Sequence, residues 1–478
     1  MLGPFLLVKS VNFRRVNDDQ RLTLINKICA GLLLLCCTTA SASFSLPLTD
    51  PEQTLVLQFE QYIEAGQTDA LAVLMPLPQQ VKVASRLILV AKKKLALADL
   101  PSDYKEVITS LELLHQYRGH FIYLLSLADL TNTLRLYTVL QQHPSLLYLQ
   151  PDLLPLRPKP SKAPSLHNTL YINENTFSVV DYLALGKLWQ HTKGHGVKIA
   201  VIDTGVSLNL PALQQINQSY SWDIDLDIAG AVPEPQQKHG NKVAGLIWAM
   251  PHMLSIGGEM LQIDAKLLHN AAKFSTDHAV GIAPDAELIA LKLQRPWTSN
   301  LLRALIKSEL QQADVINISW LLPWVATPVR DYLRYLVSES NHGKGIMVVV
   351  AADPQFRPNQ GLAAMPELLV VSSTDHRGTL ADSSWDTTVD IAAASYVLTT
   401  SQLPGRKYEM FAKTSSSAAL VSGWLALLRS LRPDLTVTEL QLLLTATGTA
   451  VKQPLPQGQS FNYKVLNASQ VVYELTKK

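Results

Sequence analysis

Three residues spread along the chain could together perform nucleophilic catalysis: Asp203, His239 and Ser415. A serine hydroxyl becomes a strong nucleophile when an imidazole takes its proton and a carboxylate orients that imidazole. Taken one at a time, these residues have more ordinary interpretations: a turn former in Asp-Thr-Gly, a structural histidine and a serine that caps a helix. The catalytic interpretation therefore depends on the elements and motifs that surround them.

The predicted elements would place all three residues at one edge of a sheet. Asp203 ends a buried apolar strand, and His239 and Ser415 each open a helical segment. Apolar strands that alternate with helices predict a doubly wound, mostly parallel α/β sheet, in which sites lie at the carboxyl ends of strands. The predicted strands span 197–203, 286–292, 315–319, 346–351 and 368–372, and the predicted helices span 242–250, 299–312, 329–340 and 415–431.

The sequences around the three residues resemble the motifs of the subtilisin-like serine proteases, the subtilase family. His239 begins a segment similar to the family's His-Gly-Thr-His-Val-Ala-Gly, and Ser415 lies in one similar to Gly-Thr-Ser-Met-Ala-x-Pro-x-Val-Ala-Gly. The order Asp, His, Ser along the chain is also the family's order. The segments that carry the resemblance are 194–206, 239–245, 281–292, 413–423 and 465–468.

The resemblance implies a serine endopeptidase that acts on peptide or protein substrates. Ser415 Oγ would attack the peptide carbonyl while His239 takes the hydroxyl proton. Asp203 would hold the imidazole in its tautomer and stabilise the imidazolium. The start of the helix that carries Ser415 would offer backbone N–H groups to the developing oxyanion.

The resemblance also implies a substrate-binding edge and no cofactor. Ser319, Trp320 and Leu321 stand where the family binds substrate along a strand edge, and their bulk would narrow the specificity pocket. No metal or organic cofactor is needed for the chemistry. Structural calcium is common in the family, but the acidic stretch 223–227 is interpreted here as a solvated loop rather than a set of calcium ligands.

Several residues depart from the family's motifs close to the proposed chemistry. Asp353 is the nearest equivalent of the family's oxyanion-hole asparagine, and a carboxyl group can donate a hydrogen bond only when it is protonated. Lys413 replaces a glycine, a residue used where the backbone takes unusual angles. Ala419 replaces a proline, Asn241 replaces a threonine, and residues 251–278 form an insertion beside the site.

These departures leave two further interpretations open. The first is a catalytically weak or inactive subtilase fold that serves as a binding module or is activated by a partner. The second is an unrelated doubly wound enzyme. No Gly-x-Gly-x-x-Gly or phosphate-loop pattern follows the first strand of the sheet, which argues against nucleotide chemistry.

The N-terminal part of the chain predicts export and a propeptide. A basic region, a short apolar core and a small-x-small site at 40–42 predict a signal peptide over 1–42, with an uncleaved membrane anchor as the alternative. Residues 43–152 are interpreted as a small α+β propeptide that inhibits its own protease, 153–168 as an exposed linker, and 169–478 as the catalytic domain. In this first unit the predicted elements are strands at 86–91 and 145–152 and a helix at 127–142, and 147–152 resembles the end of a subtilase propeptide.

Composition excludes several classes of protein. The 478 residues are 47% hydrophobic and 17% charged, which argues for large buried cores rather than disorder. The net charge of +2 gives no concentrated basic character for nucleic-acid binding. Cys29, Cys36 and Cys37 all lie in the predicted signal peptide, so the mature protein would have no disulfide and no cysteine nucleophile. The expected location is periplasmic or extracellular, without a membrane span after the signal is removed.

Overall fold

The computed structural model contains an N-terminal antiparallel unit followed by a larger α/β unit. It describes residues 44–48, 50, 54–59, 61, 63–156, 179–249, 281–352, 361–375, 378–380, 389–395, 397–401, 408–454 and 460–477. The predicted signal peptide, most of the predicted linker and the 251–278 insertion lie outside these residues. Within the described part of the chain, no helix combines the length and the apolar character that a membrane span requires.

The N-terminal unit is an antiparallel sheet with a helix packed against it. Its elements are β1 (Phe44–Leu48), β2 (Leu55–Phe59), β3 (Asp69–Met75), β4 (Gln79–Ala91), β5 (Ile108–Tyr117), β6 (His120–Leu127), α1 (Leu130–Leu140) and β7 (Leu146–Pro155). The long strand β4 pairs with β7 on one edge and with β3 and then β6 on the other. Because β7 continues through Pro155, residues 153–155 belong to the sheet and not to the predicted linker.

The second unit is built on a ten-stranded sheet, which confirms the predicted fold class. The strand order is β10-β9-β11-β8-β12-β13-β14-β15-β19-β18. The eight strands from β9 to β19 in this order run parallel to one another, and the edge strands β10 and β18 are antiparallel to β9 and β19. Its strands are β8 (Lys198–Asp203), β9 (Gln218–Asp223), β10 (Ile228–Ala229), β11 (Glu287–Lys292), β12 (Val315–Ile318), β13 (Met347–Ala351), β14 (Leu369–Thr374), β15 (Ile391–Ala394), β18 (Thr449–Pro454) and β19 (Ser460–Val465), with a separate hairpin of β16 (Val397–Thr400) and β17 (Tyr408–Phe411).

Helices cover this sheet, and one of them is buried along almost its whole length. The helices are α2 (Val179–Tyr182), α3 (Leu185–Leu188), α4 (His239–Trp248), α5 (Thr298–Leu310), α6 (Thr327–Ser338), α7 (Lys413–Leu431), α8 (Val437–Thr447) and α9 (Ala468–Thr476). In α7, Thr414 and every residue over 416–429 are buried, and the helix packs against α4 and strands β12 to β15. Small residues permit this approach; Ser417 Oγ, for example, donates to Ala393 O at 2.9 Å.

A contact that only glycine allows holds the start of α4 against the end of β8. A Cβ added to Gly240 would lie 2.2 Å from the carbonyl oxygen of Gly205, which itself has a positive φ of 103°. Gly240 N donates to Thr204 Oγ1 at 3.0 Å, and Asn241 Oδ1 accepts from Ser207 N at 2.7 Å. The turn after β8 and the first turn of α4 are thereby fixed to each other.

The N-terminal unit contacts α5 and α6 through buried polar groups. Asp152 of β7 is fully buried; it accepts hydrogen bonds from Ser299 N at 3.0 Å and Ser299 Oγ at 2.7 Å, and it pairs with Arg86 at 2.7 Å. Burial raises the pKa of Asp152, while Arg86 and Ser299 oppose that rise. Asp50 follows β1, and Nη2 of Arg330 on α6 donates to both of its carboxylate oxygens, at 2.7 and 2.9 Å.

A second polar cluster joins β5 to the same two helices. His115 contacts Glu309 of α5 at 3.1 Å, and Tyr117 Oη donates to Asp331 of α6 at 2.5 Å. Burial alone would raise the pKa of Glu309, but hydrogen bonds from His115 and two tyrosines lower it overall. Buried apolar residues of both units also form one contiguous cluster. The two units therefore share an interface that mixes apolar packing with paired charges.

Gly240→Ala tests the contact between α4 and β8. The added methyl group must push the two backbones apart, and such overpacking typically destabilises a core by about 1–3 kcal/mol. We expect a loss of that size in the free energy of unfolding, measured by urea denaturation. Gly186→Ala on α3 is the control, because nothing lies within 4 Å of its added Cβ. Equal effects of the two substitutions would contradict the assigned contact.

Asp390→Asn tests a half-buried carboxyl group next to β15. Burial raises the pKa of Asp390 to about 6, although Val370 N donates to its carboxylate at 2.8 Å. The folded protein therefore binds this proton more tightly than the unfolded chain does. Stability from this group is complete below the ordinary carboxyl pKa and is lost as pH rises through about 6.

The measurement is the urea midpoint of wild type and Asp390→Asn between about pH 4.5 and about pH 7.5. We expect the wild type to lose stability relative to the variant as pH rises, because the amide has no proton to release. Asp285→Asn, at an exposed aspartate, should follow the wild type. Parallel curves for wild type and Asp390→Asn would refute the assignment.

Candidate active site

The structure brings Asp203 and His239 into direct contact. Asp203 ends β8 and is 1% exposed, and His239 is the first residue of α4. His239 Nδ1 lies 3.0 Å from Asp203 Oδ1 and 2.9 Å from Oδ2. Thr204 N also donates to Asp203 Oδ1 at 2.7 Å, which fixes the carboxylate. This geometry selects the tautomer with a proton on Nδ1 and leaves Nε2 as the basic nitrogen.

Ser415 is the partly exposed residue at the start of the buried helix α7. Its hydroxyl donates to the backbone carbonyl of Ser319 at 2.8 Å. Because a hydroxyl has one proton, this bond must be exchanged for one to an imidazole before the proton can be transferred. Ala412, at the N-cap of α7, has no side-chain acceptor for a hydrogen bond. The first N–H groups of α7 therefore do not donate to the side chain of the N-cap residue.

A buried polar network that the sequence alone did not predict positions the start of α7. Asn317 on β12 donates through Nδ2 to Ser422 Oγ at 2.9 Å, and its Oδ1 accepts from Ser319 Oγ at 2.8 Å. Ser319 Oγ also lies 3.3 Å from the carbonyl oxygen of Ser415. The available signal was the polar residue in the otherwise apolar run Val-Ile-Asn-Ile of β12.

The predicted substrate-binding edge follows directly after β12. Ser319 is 1% exposed, so its side chain faces the network and not the solvent. Trp320 is partly exposed, and its indole N–H donates to the carbonyl of Ile202, the residue before Asp203, at 2.7 Å. Leu321 is also partly exposed. Trp320 therefore reaches across the end of β8 as a fixed side chain at the rim of the site.

The β16–β17 hairpin adds a wall next to His239 that the motifs did not reveal. The ring of Phe411 meets the imidazole edge-on, with centroids 5.4 Å apart and planes at 85°. Lys242, one turn beyond His239, pairs with Glu409 of the hairpin at 2.8 Å. Since Phe411 precedes Ser415 by four residues, the hairpin connects the environment of His239 to the start of α7.

Lys413 has a backbone conformation that favours glycine. Its φ is +70°, in the left-handed region, where a side chain costs roughly 1–2 kcal/mol. The lysine that stands in place of the family's glycine therefore takes backbone angles that glycine adopts without strain. Ser416 Oγ donates to Lys413 O at 2.8 Å and supports this turn. Asp353, the predicted oxyanion-hole residue, lies outside the described residues.

The acidic stretch 223–227, predicted to be a solvated loop, is exposed at Leu226 and Asp227 but not at Asp223. Asp223 is buried and pairs with Lys292 at 3.0 Å. Asp225 accepts hydrogen bonds from Gln294 N at 2.7 Å and Arg295 N at 3.1 Å. These two carboxylates organise neighbouring loops, because protein donors already satisfy them. Within the residues that the structure describes, no group of three or more histidine, cysteine or acidic side chains could hold a metal ion.

Comparisons with known proteins identify relatives of the chain. The pattern of the subtilase family, peptidase S8, matches residues 194–463. An intracellular serine protease of Paenibacillus polymyxa is 25% identical over 300 residues, which cover 59% of this chain and 81% of the relative. Subtilisin E of Bacillus subtilis (strain 168) is 25% identical over 354 residues, which cover 68% of this chain and 74% of the relative.

A solved structure supports the same fold. Fervidolysin from Fervidobacterium pennivorans, a keratinolytic enzyme related to subtilisin, superposes with a TM-score of 0.57 at 17% identity. The superposition covers 81% of this chain and 60% of fervidolysin, and at this identity it bears on the fold alone. With the family pattern spanning more than half of its residues, the chain belongs to the subtilase family and is a serine-type endopeptidase.

Proposed function

We propose that this endopeptidase is an exported zymogen whose Asp203, His239 and Ser415 form the catalytic triad and release its own N-terminal unit. The observation that carries the proposal is the contact of His239 Nδ1 with both carboxylate oxygens of Asp203, at 2.9 and 3.0 Å. That contact orients Nε2 as the base for a serine hydroxyl. The substrates are peptides or proteins, as for the family.

The reaction begins when the Ser415 hydroxyl turns from the Ser319 carbonyl towards His239. Nε2 accepts the proton as Oγ attacks the carbonyl carbon of the scissile bond. Asp203 stabilises the imidazolium that forms, and its burial keeps water from competing for Nδ1. The imidazolium then protonates the leaving amine, and a water molecule activated by the same imidazole hydrolyses the acyl-enzyme.

The oxyanion that forms during attack requires hydrogen-bond donors. The start of α7 supplies backbone N–H groups and the positive end of a 19-residue helix dipole. We assign the second donor to a protonated Asp353, since an ionised carboxylate would repel the oxyanion. Trp320 and Leu321, partly exposed after β12, would contact the acyl side of the substrate.

The interface between the two units supports the role of the N-terminal unit as an inhibitor. The buried contacts of Asp152 with Ser299 and of Asp50 with Arg330 anchor it on α5 and α6. From Asp152, β7 continues to Pro155, beyond which the chain must pass into the second unit. A cut after Pro155 would leave the anchored unit intact as a separate chain. Export is supported by the sequence of 1–42, although one relative is named an intracellular protease.

Autoprocessing is tested by the intact mass of the protein expressed without residues 1–42, compared with Ser415→Ala. We expect the wild type to separate into two chains by a cut within 156–168, because 153–155 are held in β7. Ser415→Ala should remain whole, since it lacks the nucleophile.

Either of two other outcomes would count against this proposal. If both proteins remain whole while folded, the site is inactive or needs a partner, and the binding-module interpretation gains support. If both are cut at the same bond, another protease makes the cut. Circular dichroism of each protein establishes that it is folded before masses are compared.

The triad assignment is tested with a fluorophosphonate probe, which reacts covalently with an activated serine. We expect labelling of Ser415 in the processed protein, located by peptide mass mapping, and at least a hundredfold slower labelling in His239→Ala. Ser416→Ala is the control for the neighbouring serine, which is fully buried and should not react. Labelling that survives His239→Ala but is lost in Ser416→Ala would show that the wrong serine has been assigned.

A further inference from the structure

Lys413 combines a strained backbone with an exposed side chain two residues before the proposed nucleophile. Its φ of +70° would be relaxed in glycine, yet the chain carries one of the longest side chains at this point. Strain that persists beside an active site points to a role for the residue that causes it. The side chain itself is exposed.

The ammonium group of Lys413 has no anionic partner among the residues that the structure describes. The neighbouring Lys242 differs in this respect, because it pairs with Glu409 at 2.8 Å and lies over the ring of Phe411. Asp203 is buried and contacts His239. Among the described residues, Lys413 therefore carries a positive charge without an anionic partner two residues before Ser415.

The position of Lys413 relative to His239 tells which part of a substrate would meet this charge. His239 must face the leaving amine, because it delivers the proton to that nitrogen. Phe411 contacts the imidazole, and Lys413 follows it on the path to Ser415. Ser415 Oγ donates to the carbonyl of Ser319, just after β12. Lys413 is therefore two residues from the side chain that contacts His239 and two residues from Ser415, so the substrate residue that carries the leaving amine is the one it is placed to meet.

We propose that Lys413 is a specificity-determining residue that selects substrates with Asp or Glu directly after the scissile bond. The inference rests on the proposed function and names its substrate class. A carboxylate at that substrate position would pair with the ammonium group, whereas a lysine or arginine would be repelled. The preference should weaken as salt shortens the range of the charge interaction.

The experiment uses the processed enzyme and three quenched fluorescent peptides that differ only in the residue after the scissile bond: Glu, Gln or Lys. Mass spectrometry verifies the bond that is cut, and kcat/KM is measured at about 50 mM and about 1 M NaCl. For wild type we expect a Glu-to-Lys ratio of about tenfold at low salt, with Gln between, and a smaller ratio at high salt.

Variants at position 413 separate the charge from the backbone strain. Lys413→Arg should keep the preference, and Lys413→Gly should bring the ratio to about one while relaxing the turn. Lys413→Glu should invert the ratio. The matched control is Lys452→Glu on β18, at the far edge of the sheet, which changes the net charge equally and should leave the ratio unchanged.

The outcomes distinguish this inference from the function on which it rests. A wild-type ratio near one, or a ratio unaffected by Lys413→Gly and Lys413→Glu, overturns the role of Lys413 while fluorophosphonate labelling still supports the triad. If Lys452→Glu also abolishes the preference for the Glu peptide over the Lys peptide, the preference comes from the net charge of the protein, and the proposal is overturned. If wild type neither cuts any peptide nor is labelled, the proposed function fails and the inference fails with it. If Lys413→Glu is not processed, Lys413→Gly and Lys413→Arg give the decisive comparison.

Discussion

The approach of two backbones at Gly205 and Gly240 is the constraint on which the site depends. With 2.2 Å between an added Cβ and the opposing carbonyl, no other residue fits at Gly240 without moving the helix. The approach brings the last residue of β8 and the first residue of α4 to hydrogen-bond distance, so Asp203 can orient His239 from a buried position. The two glycines make this close approach possible, and the hydrogen bonds that Thr204 and Asn241 accept stabilise it.

The serine side of the site depends on a different kind of packing. Helix α7 is buried on nearly all sides, so its position is set by close contact of small residues with the sheet and by the Asn317 network. A rigid helix fixes its first turn, but it leaves little freedom to relieve strain there. That rigidity explains how a lysine can remain at φ +70°. The surrounding structure determines the turn, and residue 413 has to adopt it.

The sequence predicted secondary structure best where apolar residues follow one another without interruption. Strands β8, β11, β12 and β13 are buried on both faces, so their unbroken apolar runs predicted them to within a residue or two. Strand β5 has mostly exposed or half-buried residues without clear alternation and was missed. The roles of Asn317 and the β16–β17 hairpin depend on contacts between residues far apart in sequence, which composition and spacing do not encode. Asp223 and Asp225 were taken for solvated residues because their partners, Lys292 at the end of β11 and the backbone of Gln294, lie far along the chain.

The polar character of the interface bears on what happens after a cut in the linker. Permanent interfaces are largely apolar, whereas this one includes the carboxylate of Asp152. Burial raises the pKa of that carboxyl group, and Arg86 and Ser299 oppose the rise. When the units separate, both the carboxylate and the exposed N–H groups of α5 regain water, so much of the electrostatic gain of the contact is returned. The buried pairing of Asp50 with Arg330 behaves in the same way. Such an interface would make docking specific and would still permit the proposed release. If the linker is cut as proposed, the contiguous apolar cluster would oppose separation of the two units, because apolar surface gains nothing from contact with water. Cutting the linker and separating the units would then be two distinct steps, with the apolar part of the interface opposing the second.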